Sequence, residues 1–192
     1  MTEAISTNTL HSISEGQEVI GGKIPVLLVG APGKMATLVG EALSRSQGFR
    51  MLSSAVSSEN HAGEETKLGT KRVFLSEHLP YQSVVLHPGT IAIAFSTPQS
   101  VNSNADRYIK SKIPFVMGTS GGDRKKLIDA VENSDISAVI AANMDPVIVS
   151  RQMEIDNIAE DHFGIFDGAH VYIIESHQSS KADVSGTALA FD

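Results

Sequence analysis

The sequence predicts an α/β fold, with a doubly wound parallel sheet of the Rossmann type and a partial second domain of the α+β type. Short apolar runs bounded by turn residues recur along the chain, and segments of helical periodicity lie between them. A Gly-rich turn also stands between the first run and the first helical segment. Because strands that alternate with helices are joined by right-handed crossovers, this pattern indicates a parallel sheet covered by helices.

Composition limits the classes of protein to which the chain can belong. It has 192 residues, of which 41% are hydrophobic, enough to fill a core. The formal net charge of −7 excludes a general nucleic-acid binder, and the absence of Cys excludes disulfides and thiolate metal sites. No apolar run reaches membrane-spanning length. Residues 1–22 are polar and without Arg, unlike a signal or transit peptide, and we expect a flexible extension there.

The Gly-rich turn joins the first predicted strand to the first predicted helix. The strand is the apolar run 24–29, and Gly30 follows it at once. Gly30 would form a tight turn, Gly33 would let the backbone approach a pyrophosphate at the helix N-terminus, and Ala36 would pack the helix on the strand. The helix is predicted to bury Met35, Leu38, Val39, Ala42 and Leu43. Nucleotide binding is one interpretation, and a plain strand–helix turn is the other.

The second strand, predicted at residues 49–56, ends in small hydroxyl side chains. Sites for NAD often place an acid here to bind the ribose 2′-hydroxyl. This chain has Ser57-Ser58 at that point, and Glu59 comes later. Small hydroxyls leave room for a 2′-phosphate, so the sequence favours NADPH, with NADH as the alternative. Residues 57–72 are predicted to form a loop, with a short strand possible at 71–74.

The same alternation continues through the rest of the first domain. Strands are predicted at 90–95, 114–117 and 137–141, and helices at 99–110, 123–132 and 145–162, with Asp123 and Asp145 as N-caps. Ligands of such sheets bind at the carboxyl ends of the strands, so the segments that follow the strands are expected to form one site. The predicted domains are a flexible extension at 1–22, a dinucleotide-binding domain at 23–145 and a partial substrate-binding domain at 146–192.

A polar segment near residue 180 concentrates reactive side chains after an apolar run, 171–174, that is predicted as a strand. The segment contains Glu175, His177, Lys181 and Asp183. The N–H groups of Ser185-Gly186-Thr187, at the start of a short helical pattern, would bind an anion, while a His and a Lys four residues apart can supply a proton and a positive charge to one ligand. A small carboxylated substrate would suit this combination, and the alternative is a polar surface loop with an ordinary N-cap.

Four motifs occur in one order between residues 24 and 190. They are Gly30-x-x-Gly33-Lys-Met35, Phe115-Val-Met-Gly118-Thr-Ser-Gly-Gly-Asp-Arg124, Ala141-Ala-Asn143 and Glu175-Ser-His177-Gln-Ser-Ser-Lys181-Ala-Asp-Val-Ser-Gly186-Thr187-Ala188. In combination they resemble the dihydrodipicolinate (4-hydroxy-tetrahydrodipicolinate) reductase family, in its plant form. The resemblance implies NAD(P)H-dependent reduction of dihydrodipicolinate, which arises from 4-hydroxy-tetrahydrodipicolinate, to tetrahydrodipicolinate in lysine and diaminopimelate biosynthesis.

The resemblance also implies roles for single residues. His177 and Lys181 would be catalytic. The residues that would bind substrate are Gln178, Ser185, Gly186 and Thr187. The residues that would bind the cofactor, NADPH or NADH, are Gly30, Ala31, Pro32, Gly33, Lys34, Met35, Ser57, Phe95, Gly118, Thr119, Ser120, Ala141, Ala142, Asn143 and Met144. We further expect a small dicarboxylate substrate, no metal, and no membrane or nucleic-acid partner. The protein should be a homo-oligomer if the substrate domain is complete. Its expected location is the cytoplasm, with the plastid as the alternative.

Two departures from the family pattern leave a second hypothesis open. Family members continue past the Ser-Gly-Thr helix, whereas this sequence ends at Asp192, and the stretch Asn143-Met-Asp-Pro146 replaces a Gly-Lys of the plant form. The alternative is a non-catalytic nucleotide-binding homologue, or a truncated isoform that acts as a binding or assembly protein. In either case the strand at 171–174 would have few partners, so we expect poor order after about residue 165 or self-association through that strand.

Overall fold

The computed structural model describes residues 22–141, 143–165, 167–170, 172, 174 and 176. The described residues divide into a first unit that ends at residue 141 and a second unit that begins after it. The sheet lies entirely in the first of these units. The domain boundaries expected after residues 22 and 145 remain predictions.

Eight strands form one sheet within the part of the chain that the structure describes. They are β1 (Ile24–Val29), β2 (Phe49–Met51), β3 (Ser54–Val56), β4 (Glu65–Leu68), β5 (Lys71–Ser76), β6 (Ile91–Ala94), β7 (Phe115–Met117) and β8 (Ala138–Ile140). The order across the sheet is β4-β5-β3-β1-β6-β7-β8, with β2 also paired to β1. The β4–β5 pair is antiparallel and the other pairs are parallel. The predicted α/β class is confirmed.

Helices lie between several of these strands, and one more follows β8. They are α1 (Lys34–Arg45), α2 (Tyr81–Val85), α3 (Val101–Lys110), α4 (Arg124–Glu132) and, in the second unit, α5 (Pro146–Asp161). The two predicted N-caps are confirmed: the Asp123 carboxylate accepts a hydrogen bond from the Lys126 amide at 3.0 Å, and that of Asp145 accepts from the Val147 amide at 2.8 Å. The helix expected from residue 99 begins instead with a 3₁₀ turn, Pro98–Ser100, before α3. The short helix α2 was not predicted.

Helices cover both faces of the sheet, which makes it doubly wound. On one face, α3 and α4 pack against β1, β6 and β7 through Tyr108, Phe115 and Leu127. On the other face, α1 packs against β1, β3 and β5. Each central strand therefore buries side chains on both faces, as its continuous apolar sequence indicates.

The buried face of α1 differs from the predicted one. Ala36 and Leu43 are buried as expected, and Val39 packs against the core. Met35 and Leu38, however, are 46% and 49% exposed, and Gly40 is the third buried position. The reason is the close approach of the helix to β4, since a Cβ at position 40 would lie only 2.7 Å from the Leu68 Cβ. Small residues four positions apart, rather than the largest apolar ones, thus decide which face is buried.

The strand predicted at residues 49–56 is two strands with different registers. Val26 of β1 pairs with Met51, whereas Val29 pairs with Val56, so two additional residues lie between these pairs on the second chain segment. The Leu52 amide still donates to the Val26 carbonyl at 2.9 Å, while the Ser53 carbonyl accepts from Phe74 of β5. The prediction of one continuous strand was wrong because the pairing with β1 shifts by two residues at Leu52 and Ser53, after which the segment also pairs with β5.

The loop predicted at residues 57–72 contains a 3₁₀ turn, Glu59–His61, and most of a β-hairpin. Strands β4 and β5 pair from Glu65↔Phe74 to Leu68↔Lys71, and Gly69 makes the turn with φ of +62°. The loop prediction failed because β4 is an edge strand in which Leu68 is the one fully buried side chain. The possible strand at 71–74 is confirmed, and it extends to Ser76.

The described part of the second unit consists of α5 and short segments after it. Tyr172 and Ile174 belong to no strand and are 83% and 92% exposed. Other residues of the apolar run, Val171 and Ile173, lie outside the described residues, as do positions 177–192. Among the helices described, none combines the length and apolar character needed to cross a membrane.

Candidate functional site

The strand order places a crevice at the carboxyl ends of β1 and β6. On one side of β1 lie β3 and then β5, and on its other side lie β6, β7 and β8 in that order. Val29 and Ala94 form the last pair of residues between β1 and β6. Ligands of open α/β sheets bind where the strand order reverses in this way, at the carboxyl ends of the strands.

Gly30 stands at this reversal and is required there by the backbone. Its φ is +99°, a region that side-chain-bearing residues rarely adopt. Its amide donates to the Val56 carbonyl at 2.9 Å, which ties the turn to β3. A Cβ at this position would lie 2.2 Å from the Phe95 carbonyl oxygen. The chain therefore passes between β3 and β6 with no room for a side chain.

Gly33 is required by the same turn. Its amide donates to the Gly30 carbonyl at 2.9 Å, and a Cβ on it would lie 2.7 Å from that oxygen. The hydroxyl of Thr37 donates to the Gly33 carbonyl at 3.1 Å, and the Ala31–Pro32 peptide bond between the two glycines is cis. From the sequence, glycine was expected at position 33 because it would let the backbone approach a pyrophosphate. The structure adds an intramolecular reason for glycine at this position.

The N-terminus of α1 opens directly from this turn. Gly33 is the N-cap residue and provides no side chain to cap the helix, and no acidic residue lies in the first turn. The first amides of a helix have no intrahelical acceptor, and together with the helix dipole they attract negative charge. Pro32, Lys34 and Met35 are exposed around this point. The arrangement is suited to bind a phosphate group.

Ser57 holds the turn from the side of β3. Its hydroxyl donates to the Ala31 carbonyl, and its amide donates to the Ser76 carbonyl at 2.8 Å. The hydroxyl hydrogen is therefore engaged inside the protein. Ser58 and Glu59, which follow, are exposed. The half-buried Ser57 oxygen can still accept a hydrogen bond from a ligand, whereas the side chains of Ser58 and Glu59 are free of the bonds that hold the turn.

The other wall of the crevice comes from the ends of β6 and β7. The ring of Phe95 lies against Gly118, and the Thr119 hydroxyl donates to the Ser96 carbonyl at 3.0 Å. The buried Asn104 of α3 donates from its amide to the Ser96 hydroxyl at 3.3 Å. The sequence placed Ser96 only among the strand ends expected at the site, without a role of its own, and gave no role to Asn104. The strand end at Ser96-Thr97-Pro98 was the available signal for Ser96.

The structure joins about half of the predicted cofactor-binding residues into one network of contacts. They are Gly30, Ala31, Gly33, Ser57, Phe95, Gly118 and Thr119. Ser120 is exposed next to this network, and Ala141 follows β8, with its amide donating to the Met117 carbonyl at 3.1 Å.

The remaining predicted site residues fall elsewhere in the chain. Asn143 and Met144 belong to the second unit, where the Asn143 side chain accepts from the Asp145 amide at 2.9 Å. Ala142 lies outside the described residues. So do His177, Gln178, Lys181, Ser185, Gly186 and Thr187. Their roles remain predictions.

Comparison with known proteins agrees with this architecture. The family model described as "Dihydrodipicolinate reductase, N-terminus" matches residues 24–144. The probable 4-hydroxy-tetrahydrodipicolinate reductase 2, chloroplastic, of Oryza sativa subsp. japonica is 34% identical over 171 residues, which cover 86% of this chain and 52% of that protein. The 4-hydroxy-tetrahydrodipicolinate reductase 1, chloroplastic, of Arabidopsis thaliana is 35% identical over 175 residues, covering 88% and 50%.

The chain thus spans about half the length of these curated relatives. Among solved structures, aspartate semialdehyde dehydrogenase II of Vibrio cholerae, complexed with ASA, matches 69% of this chain and 45% of that chain with a TM-score of 0.43 and 15% identity. This structural similarity is too low to support an argument about the family. The family follows from the family model and from the plant sequences. The chain belongs to the dihydrodipicolinate reductase family.

Proposed function

We propose that the first unit binds a pyridine dinucleotide, and that the protein uses it to reduce dihydrodipicolinate to tetrahydrodipicolinate in lysine and diaminopimelate biosynthesis. The observation that carries the proposal is the turn Gly30–Gly33 at the reversal of strand order, followed directly by the N-terminus of α1. Family membership and the names of the plant relatives agree with a reductase of this kind.

The residues of the turn fit a dinucleotide. Neither Gly30 nor Gly33 has space for a Cβ, so the backbone itself forms the wall of the crevice, and its amides can approach a pyrophosphate. The first turn of α1 lacks a carboxylate that would repel it. Gly118 and Thr119 would line the side of the nicotinamide ribose. When bound, the nicotinamide would supply a hydride to the substrate.

The substrate half of the reaction belongs to residues 177–187. We assign proton donation to His177, because an imidazole titrates near neutral pH and the reduced centre requires a proton. The ammonium of Lys181 would bind a substrate carboxylate, and the Gly186 and Thr187 amides would donate to the same or the neighbouring carboxylate. Gln178 and Ser185 would provide further hydrogen bonds. Ala141, Ala142, Asn143 and Met144 would lie beside the nicotinamide.

The cofactor we propose is NADPH rather than NADH. No carboxylate stands directly after β3, and Ser58 is small and exposed there. A small hydroxyl accommodates a 2′-phosphate, whereas an acid would repel it. For location, the names of the plant relatives favour the plastid over the cytoplasm. Imaging of a fluorescent fusion of the full-length gene product would decide between these compartments.

The binding experiment compares the wild-type chain with Gly33→Asp. NADPH should raise the melting temperature of the wild type, because a ligand that binds only the folded state stabilises it. Gly33→Asp should lose this shift, since its side chain would collide with the Gly30 carbonyl and bring a negative charge to the pyrophosphate site. Gly48→Asp is the matched control. A Cβ there meets no atom within 4 Å, so the shift should be retained.

A turnover experiment separates the reductase from a nucleotide-binding protein without activity. Oxidation of NADPH is followed at fixed enzyme concentration, with and without 4-hydroxy-tetrahydrodipicolinate generated in the same reaction. We expect oxidation that depends on this substrate. If neither NADPH nor NADH shifts the melting temperature at millimolar concentration, the binding proposal is wrong. If a nucleotide binds but no substrate-dependent oxidation occurs, the reductase proposal is wrong and nucleotide binding stands.

A further inference from the structure

A second concave site lies at the opposite end of the sheet, where β1, β2 and β5 begin. It is a cavity of about 240 Å³ that also touches the last turn of α1. Its walls include three cationic side chains, Lys23, Arg50 and Lys71, and three hydroxyl side chains, but no carboxylate. The chain as a whole contains 22 acidic residues against 15 Lys and Arg. In such an acidic protein, a cavity bounded by three cations and no acid requires an explanation.

The three cations are held in place by neutral groups. The Lys23 ammonium donates to the Ser46 carbonyl at 3.1 Å, and that of Lys71 donates to the Met51 carbonyl at 2.6 Å. The Arg50 guanidinium lies 3.4 Å from the His87 Nδ1. These bonds position the side chains without neutralising them. Each ammonium has three N–H donors, so two remain on Lys23 and on Lys71 for another acceptor.

No carboxylate balances this charge among the residues that the structure describes. The ion pairs found there join His61 to Glu64 and Arg72 to Glu65, and neither includes a cation of the cavity. Burial, and secondarily the Arg50 charge, lower the pKa of Lys71. Burial, then Arg50, and more weakly Lys71 lower the pKa of His87, against a hydrogen bond to the Leu86 backbone that raises it. Burial is the larger cause in both cases, and the contribution of neighbouring cations to each shift agrees with positive charges that lie close together here.

We propose that this cavity binds a small oxyanion with two or more negative charges, of the phosphate class. Two ammonium groups and one guanidinium can surround such an anion, and the Ser46 and Thr70 hydroxyls can donate to it at the same cavity. The site is separate from the nucleotide crevice, because it lies at the amino ends of the parallel strands and the crevice lies at their carboxyl ends. The proposal does not depend on the reductase activity.

The test measures binding of inorganic phosphate to the full chain by calorimetry, with sodium chloride at matched ionic strength as the reference. Lys71→Met and Arg50→Gln each remove one charge from the cavity and should weaken phosphate binding at least tenfold. Lys125→Met, an exposed position on α4, removes the same charge elsewhere and should leave the affinity unchanged. Gly33→Asp, once circular dichroism shows that it is folded, should also keep this affinity, because position 33 lies in the nucleotide crevice at the other end of the sheet.

Glycerol 3-phosphate is the second probe. Binding tighter than that of inorganic phosphate would identify a phosphomonoester as the ligand, and weaker binding would identify the free anion. An independent readout is the NMR titration of His87, whose midpoint should rise when phosphate binds because the anion offsets the charges of Arg50 and Lys71. This readout uses the wild type and does not require a variant to fold. Equal affinity in Lys71→Met and the wild type, loss of binding in a folded Gly33→Asp protein, or an unchanged His87 midpoint at saturating phosphate would each overturn the proposal.

Discussion

The ring of Phe95 fills the space in which a side chain at position 118 would lie. A Cβ on Gly118 would be 2.2 Å from the Phe95 Cε1 atom. The two residues follow neighbouring strands, since the Gly118 amide donates to the Ala94 carbonyl at 3.0 Å. An aromatic ring and a glycine thus form one wall of the candidate nucleotide site together, and the size of either residue limits the other.

Gly118→Ala should therefore destabilise the protein and disturb the crevice. We expect a loss of about 1–3 kcal/mol in the free energy of unfolding, the usual range for an overpacked site, together with weaker NADPH binding. Urea unfolding and nucleotide titration measure the two effects. Phe95→Leu in the same chain should recover part of the stability because it removes the colliding ring atoms. Gly48→Ala, with nothing near its Cβ, should change stability by no more than about 0.5 kcal/mol.

Replacing Tyr108 by Phe should stabilise the first unit. Tyr108 is 1% exposed, and its hydroxyl has no hydrogen-bond partner among the described residues. Burial also raises the pKa of this phenol, so it stays neutral at every ordinary pH. Its ring stacks at a tilt on Phe115, with 5.1 Å between the centroids, and Phe would keep that contact.

Removal of an unsatisfied buried hydroxyl should raise the free energy of unfolding by about 1 kcal/mol in urea. Tyr81→Phe, at a position that is 67% exposed, is the matched control and should have no measurable effect. A decrease of 1 kcal/mol or more on Tyr108→Phe, on the scale of a lost hydrogen bond, would show that the hydroxyl is bonded in solution.

The pKa of His87 links stability to pH. Burial and the neighbouring Arg50 lower this pKa in the folded protein, so between the lowered value and the ordinary value of 6.5 the unfolded chain binds more protons. Stability therefore rises with pH through this window and is lost as the pH falls through it. His87→Gln, which cannot be protonated, should decrease the difference in melting temperature between about pH 7.5 and pH 5.

Arg50→Gln provides a second check on the same residue. It removes the charge but leaves the burial, so NMR should show the His87 midpoint rising part of the way towards 6.5. A midpoint that does not move would mean that Arg50 has no influence on this imidazole. His61→Gln is a suitable control for the melting experiment, because His61 lies in an exposed turn and its ring contacts Glu64 rather than Arg50.

His177→Ala should lower kcat of the reductase by roughly a hundredfold or more, with a smaller effect on KM, because it removes the general acid. Lys181→Ala should impair both constants, since the ammonium contributes to binding and to charge stabilisation. Neither change should alter the affinity for NADPH, which we assign to the first unit. A His177→Ala protein with full kcat over the whole pH range would exclude this residue from the mechanism.

The sequence was sufficient to predict those elements that are buried on both sides. The run 24–29 has the bounds of β1, because a central parallel strand is apolar at every position. The edge strand β4 was missed, since burial of Leu68 alone leaves no periodic pattern. The orientation of α1 was also missed, because it depends on the distance between Gly40 and Leu68, residues 28 positions apart.

The same distinction applies to the candidate site. The turn Gly30–Gly33 is contained in one short segment, so its sequence was enough to predict it. The contacts of Ser96 with Thr119 and Asn104 join three separate segments, and a local sequence pattern does not predict such long-range contacts. The hydrogen bond from the Ser57 hydroxyl to the Ala31 carbonyl likewise depends on the pairing of β1 with β3.

The change of register between β2 and β3 determines which insertions and deletions this chain can tolerate. Met51 and Val56 are five positions apart, while their partners on β1, Val26 and Val29, are three apart. Deletion of Leu52 and Ser53 together would restore one continuous register and leave Ser57 beside the glycine turn, at the expense of a buried Leu. Deletion of either residue alone would shift Ser57 by one position and turn its side chain to the opposite face of the sheet. Variation in length here should therefore occur in steps of two residues.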